Sequence, residues 1–385
     1  MKFFLKRMIP NYILETFLLY KTKPIYNYYK TDYKKKALLS YIIAPFKKDS
    51  LSHTNYFEAR TWAEVLNDSE YQVDIVQYDN YPENLDLSKY NLVCGFGDMF
   101  KFYFGQTHTN ATSIYYATGM HVCVQNQNSF QRLKDVYTSK GVWLSESTRF
   151  VEKTWTHQTS LSDVIIALGN EANADTYKKF HDNVYSLDAP FFNTQEYNSI
   201  LESKKNNYEK HFLWFGSSGV IHKGLDLLLD YFKGRNDIFL HICGNVKNEA
   251  HFCDLYSEEL FNEDNIFYHG FIDISSIQFK NILKQCAWTI FPSCSEGGAV
   301  SVLTVIGNGG LIPIITKETS VDTGYEIWID DFSTKAINDS INVALSLSKY
   351  EIENMMKMNA EVVCKRNSLK MYKQNLKNII DISDN

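Results

Sequence analysis

Two doubly wound α/β domains facing each other across a cleft are what this chain predicts, and three observations lead there. Its 385 residues exceed what one hydrophobic core usually supports, so two domains of ordinary size follow. Short apolar runs of strand length alternate with stretches of helical period, the pattern of parallel sheets covered on both faces. That alternation breaks at a polar, lysine-rich gap over 198–210 and then begins again. With 44% hydrophobic and 22% charged residues the chain can fill two cores. It holds no long low-complexity tract and no repeat of solenoid or propeller period.

Residues 1–36 read as a basic, aromatic arm. Lys2, Lys6, Arg7, Lys21, Lys23, Lys30, Lys34, Lys35 and Lys36 face only Glu15 and Asp32, and nine Phe and Tyr residues are interleaved with them. The apolar run over 12–20 is too short for a membrane span, carries Glu15 and lacks a cleavage site. Two readings of the arm stand side by side: a helical arm packed on its own domain, or a peripheral contact with a membrane surface.

The first domain, 37–197, is expected to hold strands over 37–45, 72–77, 92–97, 113–116, 142–144 and 164–168, with a helix over 56–67. The gap at 198–210 reads as the linker. The second domain, 211–365, is expected to alternate strands over 212–215, 238–242, 266–268, 287–291 and 311–316 with helices over 224–233, 250–261, 275–284 and 301–308. Gly309 would stop the last of these helices. The final segment, 350–380, is helical by pattern, and its end, within 366–385, is expected to cross back to the first domain. Ligands of such sheets bind beyond the carboxyl ends of the strands.

The formal net charge of −6 and the lack of an arginine cluster exclude nucleic acid as the expected partner. The seven cysteines are scattered and never form a Cys-x-x-Cys pair, which argues against a disulfide framework or zinc site and fits a reducing cytoplasm.

Two loops carry the chemistry. In the first, Phe291 leads through Pro292, Ser293, Cys294, Ser295, Glu296, Gly297 and Gly298 to a helix beginning near Ala299. A helix N-terminus entered through glycines offers backbone NH groups and a positive dipole end to an anion. Glu296 is wrong for phosphate and suited to accepting hydrogen bonds from hydroxyls, so acid and cradle together point to a nucleotide sugar. In the second, Trp214 and Phe215 run into Gly216, Ser217, Ser218 and Gly219, and Lys223 stands just before a helix with Leu225, Leu228 and Leu229 facing inward. Lys223 is placed to reach a phosphate at the strand ends.

These loops resemble the donor-binding motifs of retaining GT-B glycosyltransferases, in particular family 4, the "glycosyl transferases group 1" type. The family's lysine-glycine element before a leucine-rich helix matches 223–229, and its proline-serine and acid-glycine loop matches Pro292-Ser293 and Glu296-Gly297. The resemblance implies a GT-B fold of two Rossmann-like domains and transfer of a sugar from a nucleotide diphosphate sugar to a glycan or lipid-linked acceptor with retention. That reading belongs to surface polysaccharide synthesis at the inner face of a membrane. It also implies that Lys223 neutralises the diphosphate and that Glu296 contacts the donor sugar. No catalytic metal is expected, because no Asp-x-Asp motif stands out, and no cofactor beyond the donor itself.

Two positions depart from the family pattern. Ser218 stands where many relatives have an arginine. The family's second glutamate, for the ribose hydroxyls, falls on Thr304 when counted from Glu296 or on Val305 when counted back from the strand at 311–313, neither of them acidic. A hydroxyl bonds more weakly than a carboxylate. The donor side is thus read as Gly216, Ser217, Ser218, Lys223, Gly244, Asn245, Glu296, Gly297, Gly298, Ala299 and Thr304. Gly244 and Asn245 follow a strand exit and stand nearest the base. On the acceptor side His53, Gly119 and His121 follow strand exits, with His121 read as orienting an acceptor hydroxyl or steadying the departing phosphate. Asn170, Glu171 and Asp98 also end strands, and a helix cap explains Asp98 equally well. The missing glutamate keeps open a catalytically weak relative serving as a binding or scaffold subunit. A nucleotide-sugar epimerase is the third reading.

Overall fold

The computed structural model describes residues 22–48, 54–82, 84–106, 110–152 and 156–383. In chain order the first elements are β1 (Lys35–Tyr41), α1 (Asn55–Asp68), β2 (Tyr71–Gln77), β3 (Leu92–Gly95), α2 (Met99–Phe104), β4 (Thr112–Ala117), α3 (Val122–Lys140), α4 (Thr156–Leu161) and β5 (Val164–Leu168). Then come α5 (Glu171–Lys178), β6 (Val184–Leu187), α6 (Tyr197–Leu201), β7 (His211–Phe215), α7 (Leu225–Phe232), β8 (Phe239–Cys243), α8 (Ala250–Leu255), α9 (Ser257–Phe261), β9 (Ile266–Gly270) and α10 (Ile277–Gln285). The chain closes with β10 (Trp288–Phe291), α11 (Val300–Gly309), β11 (Ile312–Ile315), β12 (Ile327–Trp328), α12 (Thr334–Ser346), α13 (Lys349–Arg366) and α14 (Leu369–Ser383). The strands form two six-stranded sheets, ordered β2-β1-β3-β4-β5-β6 and β12-β11-β10-β7-β8-β9.

The described residues sort into two compact units. One draws on 1–116, 155–166 and 373–385, the other on 117–154 and 167–372. In the first, β1 pairs in parallel with both β2 and β3, Ala37 standing opposite Val73 and Leu92. Its core gathers Leu38, Val76, Val93, Met99 and Tyr103. Glu58 is buried in α1 and accepts hydrogen bonds from the hydroxyls of Tyr41 (3.2 Å) and Tyr116 (3.0 Å), while burial pushes its carboxyl above the usual range. Residues 22–34 lie along β2, where Ile25 and Ile75 exchange backbone bonds of 2.9 and 2.8 Å. This stretch packs on its own unit but is not the expected helix, Lys35 and Lys36 already belong to β1, and residues 1–21 lie outside the described residues. Near the C-terminus Lys373 pairs with Glu64 (2.6 Å) and Asp68 (2.9 Å) of α1.

In the second unit the strand order reverses between β7 and β10, which pair in parallel through Trp288 opposite Phe212. The loops leaving these two neighbours, 216–224 and 292–299, consequently emerge side by side at the switch point where open α/β sheets bind ligands. The stretch 198–210, read as a linker, is folded into this unit. Ile200 of α6 belongs to its core with Leu213, Phe279 and Leu283, and Lys204 donates to the carbonyls of Leu283 and Cys286 (both 2.7 Å).

Other differences are local. No strand forms at 142–144, because Val142 and Trp143 are exposed and Trp143 stacks on Tyr137 at 4.1 Å. Tyr256 and Asn367 interrupt helices expected to be continuous, and Asn367, buried, donates to the Ala189 carbonyl at 2.8 Å. Helix α11 runs through Gly309 and is closed by Gly310, whose φ of 67° is left-handed.

Candidate functional site

The site is built on the two loops at the switch point. After β7 the chain makes a tight turn in which Lys223 N donates to Gly219 O (3.0 Å) and Leu225 N to Val220 O (2.9 Å). Glu249 secures the turn by accepting from the backbone NH groups of Gly219 (2.6 Å) and Val220 (3.3 Å). Trp214, wholly buried, ties it to the sheet through Nε1–H donated to Lys223 O at 3.1 Å. Gly224 must be glycine: its φ is 67°, and a Cβ would lie 2.4 Å from the Pro292 carbonyl oxygen. The two loops are thus in backbone contact.

That contact brings Lys223 and Glu296 together. Lys223 Nζ lies 3.1 Å from Glu296 Oε1, and Ser293 Oγ donates to the same oxygen at 3.2 Å. Arg149 approaches from the segment after α3, its guanidinium 3.9 Å from Glu296 Oε2. Burial by itself would raise the Glu296 carboxyl, but the Lys223 and Arg149 cations override it and hold the group at about 2. Burial pulls Lys223 the other way from its ordinary value, down to about 8, against the attraction of Glu296. Both groups are therefore charged at neutral pH.

His222, fully buried, sits beneath the pair. Its Nε2 faces the Ser295 carbonyl at 2.6 Å and so carries the proton, leaving Nδ1 as the acceptor for the Cys294 thiol (3.4 Å). Ser129 Oγ lies 3.1 Å from Nδ1 and gives its own proton to the Arg149 carbonyl (2.8 Å). Burial lowers it to about 4, so it is neutral. The α3 face that supplies Ser129 also supplies Asn128, which donates to the Cys294 carbonyl at 2.8 Å. It supplies Arg132 as well, paired with buried Asp226 of α7 at 2.5 Å.

Beyond Glu296 the backbone turns into α11. The NH groups of residues 297–301 have no acceptor among the described residues, as expected of the first NH groups of a helix, and they follow Glu296 directly in the chain. Gly297 is held close to the 118–119 backbone: a Cβ on it would lie 2.3 Å from Thr118 O and 2.9 Å from Gly119 N. Gly119 is accordingly in the site's wall, its carbonyl bonded by the Tyr177 hydroxyl at 2.8 Å. Gly298, at φ 70°, abuts Gly169 and Ala189.

The remaining predicted residues divide. Ser217 Oγ meets Arg149 Nη2 at 3.3 Å, and the Ser218 carbonyl accepts from Lys223 Nζ at 3.3 Å. Gly216 and Gly244 adjoin, a Cβ on Gly244 falling 2.4 Å from Gly216 O, and Asn245 is exposed beside them. Thr304 is buried in α11, where its hydroxyl donates to Val300 O at 2.7 Å. His121 is not a presented side chain. It is 3% exposed, stacks on Phe180 at 4.0 Å and caps α3 by accepting from Cys123 N at 3.3 Å, because the first turn of a helix needs an acceptor for its free NH groups. Asn170 likewise caps α5 and bonds Asp322 at 2.9 Å, while Glu171 is exposed and paired with Lys178. Asp98 stands at the N-cap of α2. His53 lies outside the described residues. Arg149, Ser129, His222 and Glu249 were not expected from the sequence. Only His222, beside the motif lysine, carried any signal.

Residues 198–363, less than half of the chain, match the family model described as Glycosyl transferases group 1. No curated protein matches the chain. Among solved structures, the chain is similar to Anabaena HepE in complex with UDP-glucose, at 10% identity over 90% of this chain and 99% of that one, with a TM-score of 0.58. It is also similar to a glycosyltransferase from Rickettsia africae, at 13% identity over 91% and 99%, with a TM-score of 0.54. The chain spans 54% of TarM, at 15% identity and a TM-score of 0.48. The fold is the GT-B fold of two parallel α/β sheets.

Proposed function

We propose that the protein is a glycosyltransferase that moves a sugar from a nucleoside diphosphate sugar to a hydroxyl of a glycan or lipid-linked acceptor, with retention of anomeric configuration. One observation carries this reading: Lys223 and Glu296, from separate loops, meet 3.1 Å apart, and Glu296 leads directly into a helix start whose NH groups have no acceptor among the described residues. The lysine and the NH groups suit a diphosphate, and the carboxylate suits sugar hydroxyls. The match of 198–363 to glycosyl transferases group 1 supports the same assignment, and HepE, of like fold, was crystallised with UDP-glucose.

Retention is favoured by the state of the two candidate bases. Glu296, held at about 2, is a weak proton acceptor, and His222 is buried with both ring nitrogens engaged. The acceptor's proton then passes to the leaving diphosphate on the same face. Lys223 and the NH groups stabilise the charge developing there, in place of a metal ion. We assign the reaction to surface polysaccharide synthesis on the cytoplasmic side of a membrane; among the described residues no helix is long and apolar enough to cross one.

The test is thermal stabilisation and turnover with a panel of nucleoside diphosphate sugars, with Lys223→Ala and Glu296→Ala as controls. Stabilisation of the wild type by one donor, lost in both variants, is expected. Failure of every donor to bind would overturn the reading. A second reading, a binding subunit without turnover, is favoured by Thr304, whose hydroxyl is committed to its own helix where a ribose-binding acid would stand. Donor binding with no transfer to any acceptor and no hydrolysis would select it.

A further inference from the structure

The turn after β7 brings one cation to the site, Lys223, because Ser218 is small and uncharged. The second comes from elsewhere in the chain. Arg149 is pinned at its backbone, where its carbonyl accepts from Ser129 Oγ (2.8 Å) and Gln125 Nε2 (3.5 Å). Its side chain crosses Gly219: a Cβ there would meet Arg149 Cγ at 3.0 Å and Nε at 3.2 Å, and the φ of 80° already favours glycine. The base of the side chain is fixed and the tip is open, the side chain being 40% exposed.

Among the described residues the guanidinium's donors are largely uncommitted: of its five N–H groups one meets Ser217 Oγ at 3.3 Å, and the 3.9 Å approach to Glu296 is a charge contact rather than a hydrogen bond. Among the groups that meet Glu296 the charges do not cancel either. Lys223 and Arg149 are positive, Glu296 is negative and His222 is neutral, while the Glu249 carboxylate of the same turn is taken up by the backbone NH groups of Gly219 and Val220. A planar fork with free donors beside an excess charge fits a phosphate oxygen pair.

We infer that Arg149 is the second diphosphate-binding cation of this site, supplied by the segment after α3 instead of by the turn that carries Lys223, and that it separates diphosphates from monophosphates. The inference rests on the donor reading proposed above. With Lys223 on one phosphate, Arg149 holds the other.

Calorimetric titration of the full chain with UDP, GDP and ADP, and with the matching monophosphates, tests it. In Arg149→Met the best diphosphate is expected to bind about tenfold or more weakly, the loss of one charge-assisted bond, and the monophosphate to change by less than about threefold. Arg149→Lys should recover part of the loss, and so should Ser218→Arg added to Arg149→Met, because a cation returns to the same place from the turn. Neither recovery follows if Arg149 only braces the fold. Diphosphate affinity in Arg149→Met within about twofold of wild type, with Lys223→Ala still losing it, overturns the inference and leaves the donor reading standing. If the wild type binds none of the diphosphates, both fall. Should Arg149→Met not fold, Arg149→Lys and Ser217→Ala are read against wild type, and unchanged affinity in both overturns the inference.

Discussion

Two buried ion pairs lie in the same unit of this molecule and are built to opposite ends. Arg132 and Asp226 meet at 2.5 Å with side chains 1% and 4% exposed, sealed between α3 and α7. Lys223 and Glu296 meet at 3.1 Å, with Glu296 at 14% and the half-open Arg149 alongside. In the first pair each charge is the main partner of the other, so the pair is a fastening. In the second, two cations share one carboxylate and a side faces out, so an anion can join without leaving any charge alone. An exposed cation separates a site from a clamp, because Arg132, which also meets Asp135 at 3.3 Å, is shared between two carboxylates and is itself sealed, whereas Arg149 is 40% exposed.

Substitutions can break that contrast. The largest effect is expected at the clamp: Arg132→Met leaves Asp226 buried and unpaired and should cost about 3–5 kcal/mol, read from denaturant midpoints. Removing both charges, Arg132→Met with Asp226→Leu, should restore most of that loss. Loss of donor binding in a double variant that folds well would show that the clamp is part of the site.

At the open pair the loss should appear in rate rather than stability. Lys223→Ala is expected to lower sugar transfer about 10²–10³-fold, as for removal of one group stabilising a developing oxyanion. Steady-state rates at saturating donor check this.

A smaller effect is graded by pH. Lys223 is lowered from 10.5 to about 8, so diphosphate affinity should fall as pH rises through about 8, while Lys223→Arg should stay flat. The same shift has the opposite sign for folding. Between about 8 and 10.5 the unfolded chain holds a proton that the folded one has released, so this group makes the protein more stable as pH rises. Glu296, depressed from 4.5 to about 2, contributes stability that is present above 4.5 and is lost as pH falls toward 2. The smallest effect is expected of Ser293→Ala, which removes one hydrogen bond to Glu296: about 1 kcal/mol, read as a few-fold change in donor affinity.

How much of this was legible in the sequence follows from where each residue's partners lie along it. Strands such as β5 and β7 could be read because runs like Val164–Leu168 are apolar throughout, as strands covered on both faces must be. Edge strand β6, Val-Tyr-Ser-Leu, is only partly buried and lacks that signature. The 142–144 run has it, but only Leu144 is buried; Val142 is exposed and Trp143 finds its partner in Tyr137 and not in a sheet. Lys223 and Glu296 could be read because glycines and strand exits mark both loops. Arg149 could not, since its place is fixed by tertiary contacts to Ser129 and Gly219 that leave no local pattern. His121 misled for the complementary reason: a polar residue after a strand serves a helix cap as readily as a cleft.

The bond from Trp214 to the Lys223 carbonyl gives the protein an optical reporter of its own. The indole is dry, rigidly packed and stacked near Phe291 at 6.1 Å, and its only N–H is committed to the peptide that carries the site's lysine. A ligand that reorients that peptide alters the indole's hydrogen bond, and with it the colour of its emission. The chain holds six tryptophans, so the signal is isolated by subtracting a Trp214→Phe spectrum. Occupancy of the site can then be followed in real time without a label.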